Sequence, residues 1–173
     1  MEKKITVRPA AVEDAAGIAI VRAYTWATAY HGLMPDSVLE KRIESVPSAA
    51  GRMKSLIESG ALSYAVAVAD HTVIGFVSWG KSRDERYPDD GEIGALYVLK
   101  GYNGMGAGKA LFDFAKEDLV QNGYDNMIIN CLEGNPSTDF YRHMGGKIVA
   151  QRKDEIAGGH IITENVLRFE LKY

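Results

Sequence analysis

The chain has 173 residues, 46% of them hydrophobic and 25% charged, which predicts one globular domain over residues 1–173 and argues against a disordered chain. Its 20 Lys and Arg residues against 23 Asp and Glu residues give a net charge of −3, so the chain as a whole has no general attraction for nucleic acid or for an anionic membrane. The single Cys excludes an internal disulfide and favours the reducing cytoplasm, and the chain lacks the run of about 18 apolar residues that a membrane helix needs.

Turn residues and apolar spacing predict a strand and three helices in the first third of the chain. The strand at residues 5–8 ends at Pro9, because proline cannot donate a hydrogen bond to a sheet. The helices are predicted over residues 13–30, 36–43 and 49–58.

The middle of the chain predicts three strands and a long helix. Strands at residues 62–68 and 73–79 flank a tight turn at Asp70 and His71, and a polar loop leads to a third strand at 92–99. The helix that follows has an apolar face formed by Ala107, Ala110, Leu111, Phe114 and Ala115. The last predicted elements are a buried strand at 127–132, a short helix at 135–144 and an antiparallel pair at 147–152 and 166–171. This order predicts one mixed sheet with helices on its faces.

A glycine-rich turn between the third of these strands and the long helix is the most informative stretch. Glycines at positions 104, 106 and 108 allow positive φ and a close backbone approach. The N–H groups of the first helical turn, together with the helix dipole, favour an anion such as phosphate, and Lys109 can add a charge. The alternative interpretation is a flexible turn without a ligand. Both the P-loop and the dinucleotide motifs fail here, since residue 103 is Asn and residue 109 is Lys.

Two motifs in this region resemble a known family. Asn103 to Gly108 is similar to the acyl-CoA pyrophosphate loop of the GNAT (GCN5-related N-acetyltransferase) superfamily, Gln/Arg-x-x-Gly-x-Gly/Ala, with Asn103 as the departure from its first position. Residues 132–146 resemble the family's next strand and helix, Asn…Phe-Tyr-x-x-x-Gly-Gly. The two motifs lie in the family's usual order and cover residues 92–146.

The resemblance implies an α+β fold with a mixed, mostly antiparallel central sheet flanked by helices. It implies transfer of an acetyl group from acetyl-CoA to a primary amine of a small molecule or peptide, in a ternary complex, without a metal. Homodimers are common in the family. The cofactor-binding residues that it implies are Leu96, Tyr97, Val98, Asn103, Gly104, Met105, Gly106, Ala107, Gly108, Lys109, Asn135 and Tyr141.

The resemblance also implies catalytic residues. Glu92 matches a general base that acts directly or through a water, and the alternative is a solvated carboxylate at a strand end. The backbone N–H of Val98 matches an oxyanion donor. Tyr141 matches the general acid near the thioester sulfur, with a packed aromatic beside Phe140 as the alternative. Asn135 matches a pantetheine contact and is also a candidate N-cap.

The acceptor site is less well specified. The resemblance places Trp26, Tyr30 and His31 on the wall of the acceptor pocket, although core packing explains Trp26 equally well. The acidic loop over residues 84–92 would favour a cationic amine if it flanks the pocket, and it is otherwise a solvated surface loop. A non-catalytic acyl-CoA-binding or interaction module and a different phosphate-ligand enzyme remain as alternatives. The four His residues and the single Cys, Cys131, show no metal-ligand spacing.

Overall fold

A computed structural model of the chain describes residues 4–156 and 158–172. The chain forms two compact units, one made of Met1–Trp79 with Ala95–Glu117 and the other of Gly80–Gly94 with Asp118–Tyr173. The single domain over residues 1–173 stays a prediction, and residues 1–3, 157 and 173 of it lie outside the described residues.

The described residues form seven strands and five α-helices in the predicted order. The strands are β1 Ile5–Pro9, β2 Ser63–Ala69, β3 Thr72–Lys81, β4 Gly91–Val98, β5 Asn126–Leu132, β6 Lys147–Ile156 and β7 His160–Glu170. The helices are α1 Ala15–Ala29, α2 Asp36–Glu44, α3 Val46–Ser59, α4 Ala107–Gln121 and α5 Ser137–His143, with 3-10 turns at Val12–Asp14 and Lys100–Tyr102.

The strands form one sheet in the order β1-β2-β3-β4-β5-β7-β6. The pairs β1–β2, β2–β3, β5–β7 and β6–β7 are antiparallel, and β4–β5 is parallel. The α+β class and the mixed, mostly antiparallel sheet are therefore confirmed.

Three details differ from the sequence prediction. Helix α3 begins at Val46 rather than at residue 49, because a proline such as Pro47 is tolerated in the first turn, where its missing N–H would have no helical partner. Ala110 is exposed, whereas Phe112 and Leu119 are fully buried, so the apolar face of α4 is shifted around the helix from the face that its spacing suggested. Strands β6 and β7 are longer than predicted and extend to the turn at Gly158 and Gly159.

The core of the first unit lies between α1, α3 and the strands that face them. Ile18 and Val21 of α1 pack with Val66 of β2 and Phe76 of β3, and all four side chains are fully buried. Ile18 and Val21 lie three residues apart and so share one helix face. These contacts fix α1, which carries Trp26 near its C-terminal end.

An ion pair ties β1 to the start of α1 in the same unit. The Asp14 carboxylate accepts from both terminal nitrogens of Arg8, at 2.7 and 2.9 Å, and from the backbone N–H of Ala11 at 2.8 Å. The hydrogen bonds from Arg8 are the main reason that the pKa of Asp14 is lowered from its ordinary value, against the opposing effect of burial. The ionised carboxylate therefore stabilises the fold at neutral pH.

We expect Asp14→Asn to lower the free energy of unfolding at pH 7 by about 1–3 kcal/mol, the usual contribution of hydrogen bonds to a charged group. A carboxyl group whose pKa is lowered by folding stabilises the fold only while it is ionised. The difference in unfolding free energy between the variant and the native protein should therefore shrink as the pH falls below about 4. Urea denaturation at pH 7 and pH 3 measures this. The exposed neighbour Glu13, changed to Gln, is the matched control, and an equal loss in both variants would contradict the assignment.

The core of the second unit is formed around β5. Met127, Ile128 and Ile129 are all buried, as expected for a strand covered on both faces. β5 pairs in parallel with β4 over Gly91–Ile93 and antiparallel with β7 along its length. None of the helices among residues 4–156 and 158–172 is long and apolar enough to cross a membrane.

Candidate functional site

The glycine-rich turn of the first unit has positive φ at two of its three glycines. Gly104 and Gly106 have φ values of +76° and +82°, which residues other than glycine rarely adopt. A Cβ at either position would meet no atom within 4 Å, so the space above the turn is open. Gly108, in contrast, lies inside α4 and does not have a positive φ.

The start of α4 presents unpaired backbone donors at this turn. The first helical hydrogen bond from Ala110 N to Gly106 O measures 3.0 Å, so the N–H groups before Ala110 have no acceptor within the helix. Asn103, Gly104 and Met105 are exposed. The arrangement can bind an anion through the backbone, since donors, dipole and open space coincide.

Lys109 contributes less positive charge to this turn than the sequence suggested. Its Nζ forms an ion pair with Asp113 Oδ2 one helical turn further along α4. Both side chains are partly exposed, so the pair is a surface interaction of small energy. The anion site therefore depends mainly on the backbone.

Residues 96–98 form the last part of β4 in the first unit. Leu96, Tyr97 and Val98 are all half-buried. A Cβ on Gly75 of β3 would lie 2.9 Å from Tyr97 O, which is closer than real Cβ atoms approach backbone oxygen. Glycine at 75 thus lets β3 lie against this segment and fixes the position of the Tyr97 backbone.

The Tyr97 side chain joins the two aromatic residues expected in the acceptor pocket. Trp26 Nε1 donates to Tyr97 Oη at 3.1 Å, and the hydroxyl oxygens of Tyr30 and Tyr97 are 3.3 Å apart. The rings of Trp26 and Tyr30 contact edge to face, with centroids 4.9 Å apart. The structure therefore brings Trp26, Tyr30 and Tyr97 together as a polar aromatic cluster.

Arg42 of α2 completes this cluster, and the sequence prediction missed it. Its guanidinium carbon lies 3.6 Å from the centre of the Trp26 ring, which is the geometry of a cation–π contact. Burial, followed by the positive charge of Arg22, lowers the pKa of Arg42. The one available sequence signal was that Arg42 lies three residues after the buried Leu39, on the same side of the helix.

His31 follows Tyr30 in the chain and contacts Asp36 of α2. Its side chain is 75% exposed, and its Nδ1 is 3.4 Å from Asp36 Oδ1. Its role in the acceptor pocket stays a prediction.

In the second unit, Glu92 is buried at the start of β4 rather than solvated. Its Oε2 accepts from the Arg83 backbone N–H at 2.8 Å, and its Oε1 accepts from the Arg83 side chain at 2.6 Å. The Arg83 side chain is itself 67% exposed. A water or an incoming amine can displace an exposed arginine from the Glu92 carboxylate more easily than it could displace a buried one.

A half-buried carboxylate, Glu164 of β7, lies near Glu92, and the sequence prediction also missed it. Burial raises the pKa of Glu164, Arg152 opposes the shift, and the negative charges of Asp154 and Glu92 add to it. Arg152 Nε is 3.2 Å from Glu164 Oε2. The sequence alone could not reveal this neighbour, because Glu164 is placed opposite Leu132 only when β5 and β7 pair.

Arginines pair with three of the five carboxylates in the acidic loop over residues 84–92. Asp84 pairs with Arg86 at 2.7 Å, and Asp90 pairs with Arg168 of β7 at 2.6 Å. The Arg86 hydrogen bonds are the main cause of the lowered pKa of Asp84. With Glu92 also held by an arginine, the loop offers a cation less negative charge than its composition suggested.

The Asn135 and Tyr141 motif forms the turn and helix that follow β5. Asn135 Oδ1 accepts from the Ser137 N–H at 2.9 Å in the turn before α5. The N-cap of α5 is Pro136, which makes no side-chain cap hydrogen bond, so the N-cap alternative for Asn135 is wrong. Tyr141 is buried in α5 beside Phe140, with ring centroids 5.4 Å apart. A Cβ at Gly146 would lie 2.6 Å from the Phe169 ring, so this glycine lets the end of α5 pack on β7 and hold Tyr141.

Cys131 occupies the core position that the sequence indicated. It is buried on β5, and burial raises the pKa of its thiol, which disfavours the reactive thiolate. Among the described residues, no group of three or more His, Cys, Asp or Glu side chains is placed to hold a metal ion.

Comparisons with known proteins agree with this arrangement. Residues 24–146 match the model of the acetyltransferase (GNAT) family. The chain is 35% identical over 158 residues to the uncharacterized N-acetyltransferase YuaI of Bacillus subtilis (strain 168), covering 89% of this chain and 87% of that protein.

Two solved structures show the same fold. The PaiA N-acetyltransferase of Thermoplasma acidophilum, in complex with coenzyme A, has a TM-score of 0.74 and 19% identity over 96% of this chain and 99% of that one. YncA of Salmonella typhimurium, with its cofactor acetyl-CoA, has a TM-score of 0.69 and 16% identity over 98% and 95%. The extent of the family match and the identity to YuaI establish that this chain is a member of the GNAT acetyltransferase family.

Proposed function

We propose that the protein transfers the acetyl group of acetyl-CoA to a primary amine, directly and in a ternary complex. The observation that carries the proposal is the open turn at Gly104 and Gly106, with positive φ at both glycines and unpaired N–H groups at the start of α4. Such a turn suits a diphosphate, which needs several donors and a close backbone approach. The complexes of PaiA with coenzyme A and of YncA with acetyl-CoA support the choice of ligand.

The cofactor-binding residues follow from this choice. The backbone of residues 103–109 would bind the diphosphate of coenzyme A. The backbone of Leu96, Tyr97 and Val98 would pair with the pantetheine arm as an added strand does. Asn135 would contact the pantetheine through its side-chain amide nitrogen, since its Oδ1 already accepts from Ser137.

The chemistry needs three groups, which we assign to Glu92, Val98 and Tyr141. The acceptor ammonium first loses a proton to Glu92, directly or through a water, and its nitrogen then attacks the thioester carbon. The Val98 N–H donates to the oxyanion of the tetrahedral intermediate. When the C–S bond breaks, the thiolate takes a proton from the Tyr141 hydroxyl. The former amine nitrogen then gives up its second proton, which restores the Tyr141 hydroxyl, and the products are a neutral amide and coenzyme A.

Trp26, Tyr30 and His31 would contribute to the wall of the acceptor pocket, to which the structure adds Tyr97 and Arg42. The acceptor would be a small molecule or a peptide with a primary amine. We propose that the reaction takes place in the cytoplasm, which fits a free, buried Cys131.

The decisive experiment follows thiol release from acetyl-CoA in the presence of a panel of amines, with ATP and NAD compared to acetyl-CoA in thermal-shift measurements. We expect acetyl-CoA to raise the melting temperature and ATP and NAD to leave it unchanged. With at least one amine, we expect one molecule of coenzyme A to be released for each molecule of acetylated amine formed. Binding of acetyl-CoA without transfer to any amine would favour a non-catalytic acyl-CoA-binding module. Stabilisation by a nucleotide alone would overturn the proposal.

A further inference from the structure

We propose that Arg42 binds an anionic group, a carboxylate or a phosphate monoester, carried by the acceptor amine itself. This inference rests on the proposed function and names the substrate class of the same site. It follows from a guanidinium that is half-buried and stacked on Trp26, yet has no acidic partner among the residues that the structure describes.

The unused hydrogen-bonding capacity of Arg42 is the first observation. A guanidinium has five N–H donors in its plane, and none of them has a hydrogen bond or an ion pair to another described residue; the side-chain contact that the structure shows is the Trp26 ring face. Stacking occupies the face of the guanidinium and leaves its edge available. The edge is the part of arginine that binds planar carboxylates and phosphates in a bidentate manner.

The electrostatic surroundings are the second observation. Besides burial, the neighbours that act on the pKa of Arg42 are the arginines Arg22 and Arg52, which lower it, and Tyr97 and Tyr30, which raise it; no carboxylate is among them. Arg22 is itself stacked, with its guanidinium carbon 5.4 Å from the centre of the Phe76 ring. Cations that are partly withdrawn from water favour pairing with an anion, so the half-buried like charges of Arg22 and Arg42 are best balanced by an anion from outside the chain.

A purely structural role explains less. Arg42 lies in the last turn of α2, where a cation interacts favourably with the helix dipole. Its neighbour Lys41 occupies the same turn, is exposed and needs no burial for this effect. The dipole therefore does not account for the desolvation of Arg42 against Trp26.

The position of Arg42 connects this charge to the acceptor rather than to the diphosphate of the cofactor. Arg42 stacks on Trp26, and Trp26 contacts Tyr30 and Tyr97 in the cluster assigned to the acceptor. The diphosphate is assigned to the backbone of residues 103–109. Loss of Arg42 should therefore change acceptor selection while leaving affinity for acetyl-CoA unchanged.

The chain provides its own reporter for a binding test. It has two tryptophans, and Trp79 packs on Phe114 in the core, with ring centroids 5.9 Å apart. A Trp79→Phe background leaves Trp26 as the single indole, in contact with Arg42. Ligands that engage Arg42 should change the emission of Trp26 without any requirement for turnover.

We would titrate this background, saturated with coenzyme A, with matched pairs: α-amino acids against their amides, and phosphoethanolamine against ethanolamine. The expected result is tighter binding of the anionic member of one pair by about 10- to 100-fold, the range of one or two hydrogen bonds to a charged group. The amino-acid and phosphate arms distinguish the two sources of anion. In acetylation assays the same member should have the higher kcat/KM.

Variants in the same background complete the test. Arg42→Gln should remove the preference for the anion and raise the acceptor KM, with acetyl-CoA affinity unchanged, and Lys41→Gln on the same helical turn should alter neither. Equal binding of both members of every pair, or an unchanged preference in Arg42→Gln, would overturn the inference.

The proposed function is tested separately in the same experiments. Transfer of acetyl groups to neutral amines, with no preference for anionic ones, would refute the role of Arg42 and leave the proposed reaction intact. A protein that binds acetyl-CoA and anionic amines but never transfers the acetyl group would refute the reaction and leave the anion site intact.

Discussion

Replacing Gly106 with valine is expected to weaken coenzyme A binding by about 100-fold or more, which corresponds to a loss of roughly 3 kcal/mol. Gly106 has a φ of +82°, and a β-branched residue does not adopt this conformation without strain. The turn would shift, and the N–H groups at the start of α4 would no longer point at one diphosphate. The valine side chain would also occupy the open space above the turn.

Calorimetric titration with coenzyme A measures this loss, and circular dichroism melting reports whether the variant folds. Gly101→Val is the matched control. This glycine lies in the preceding 3-10 turn, its Cβ would meet no atom within 4 Å, and its φ is outside the positive range. We expect the control to bind normally. A folded Gly106→Val protein that binds coenzyme A with native affinity would refute the assignment of the diphosphate to this turn.

Replacing Tyr141 with phenylalanine is expected to lower kcat by about 100-fold or more, in the range that a positioned general acid contributes. The substitution removes the hydroxyl and keeps the ring, so the buried contact with Phe140 is preserved. Because the hydroxyl acts when the thiolate leaves, the affinity for acetyl-CoA should change by less than about threefold.

Steady-state kinetics with a good amine acceptor, combined with acetyl-CoA titration, separates the two effects. Tyr124→Phe is the control, because this half-buried tyrosine lies in the second unit just before β5 and has no assigned role. Unchanged turnover in Tyr141→Phe would remove Tyr141 as the acid. A parallel loss of acetyl-CoA affinity would assign the hydroxyl to cofactor binding instead.

Local sequence signals were sufficient for the order of the elements. The alternation of larger and smaller residues in β2, the turn at Asp70 and His71, and the apolar repeat of α4 are all short-range patterns, and the elements that they predicted are present in the structure. Burial itself does not alternate, because β2 and β3 are covered on both faces. Local signals failed to predict one helix boundary and the burial of one residue, because both depend on tertiary packing. Pro47 is compatible with a helix start as well as with the loop that was predicted, and Ala110 is small enough to lie on either face of α4.

The candidate site was predictable in part for the same reason. The spacing of Trp26 and Tyr30, one helical turn apart, indicated their contact, and the alternating glycines indicated the turn before α4. The stacking of Arg42 on Trp26 joins two helices, and the proximity of Glu164 to Glu92 requires the strand pairing of β5 and β7. No periodicity within one element contains such information.

The pairing of acidic and basic side chains in the loop before β4 has a kinetic consequence. Asp84, Asp90 and Glu92 each lie beside an arginine within the second unit, so the field that they project beyond about one Debye length, ~8 Å at physiological ionic strength, is small. Diffusing solutes therefore experience little attraction or repulsion from these three carboxylates. The contribution of these three carboxylates to the association rate of a charged ligand should therefore vary little between dilute buffer and concentrated salt.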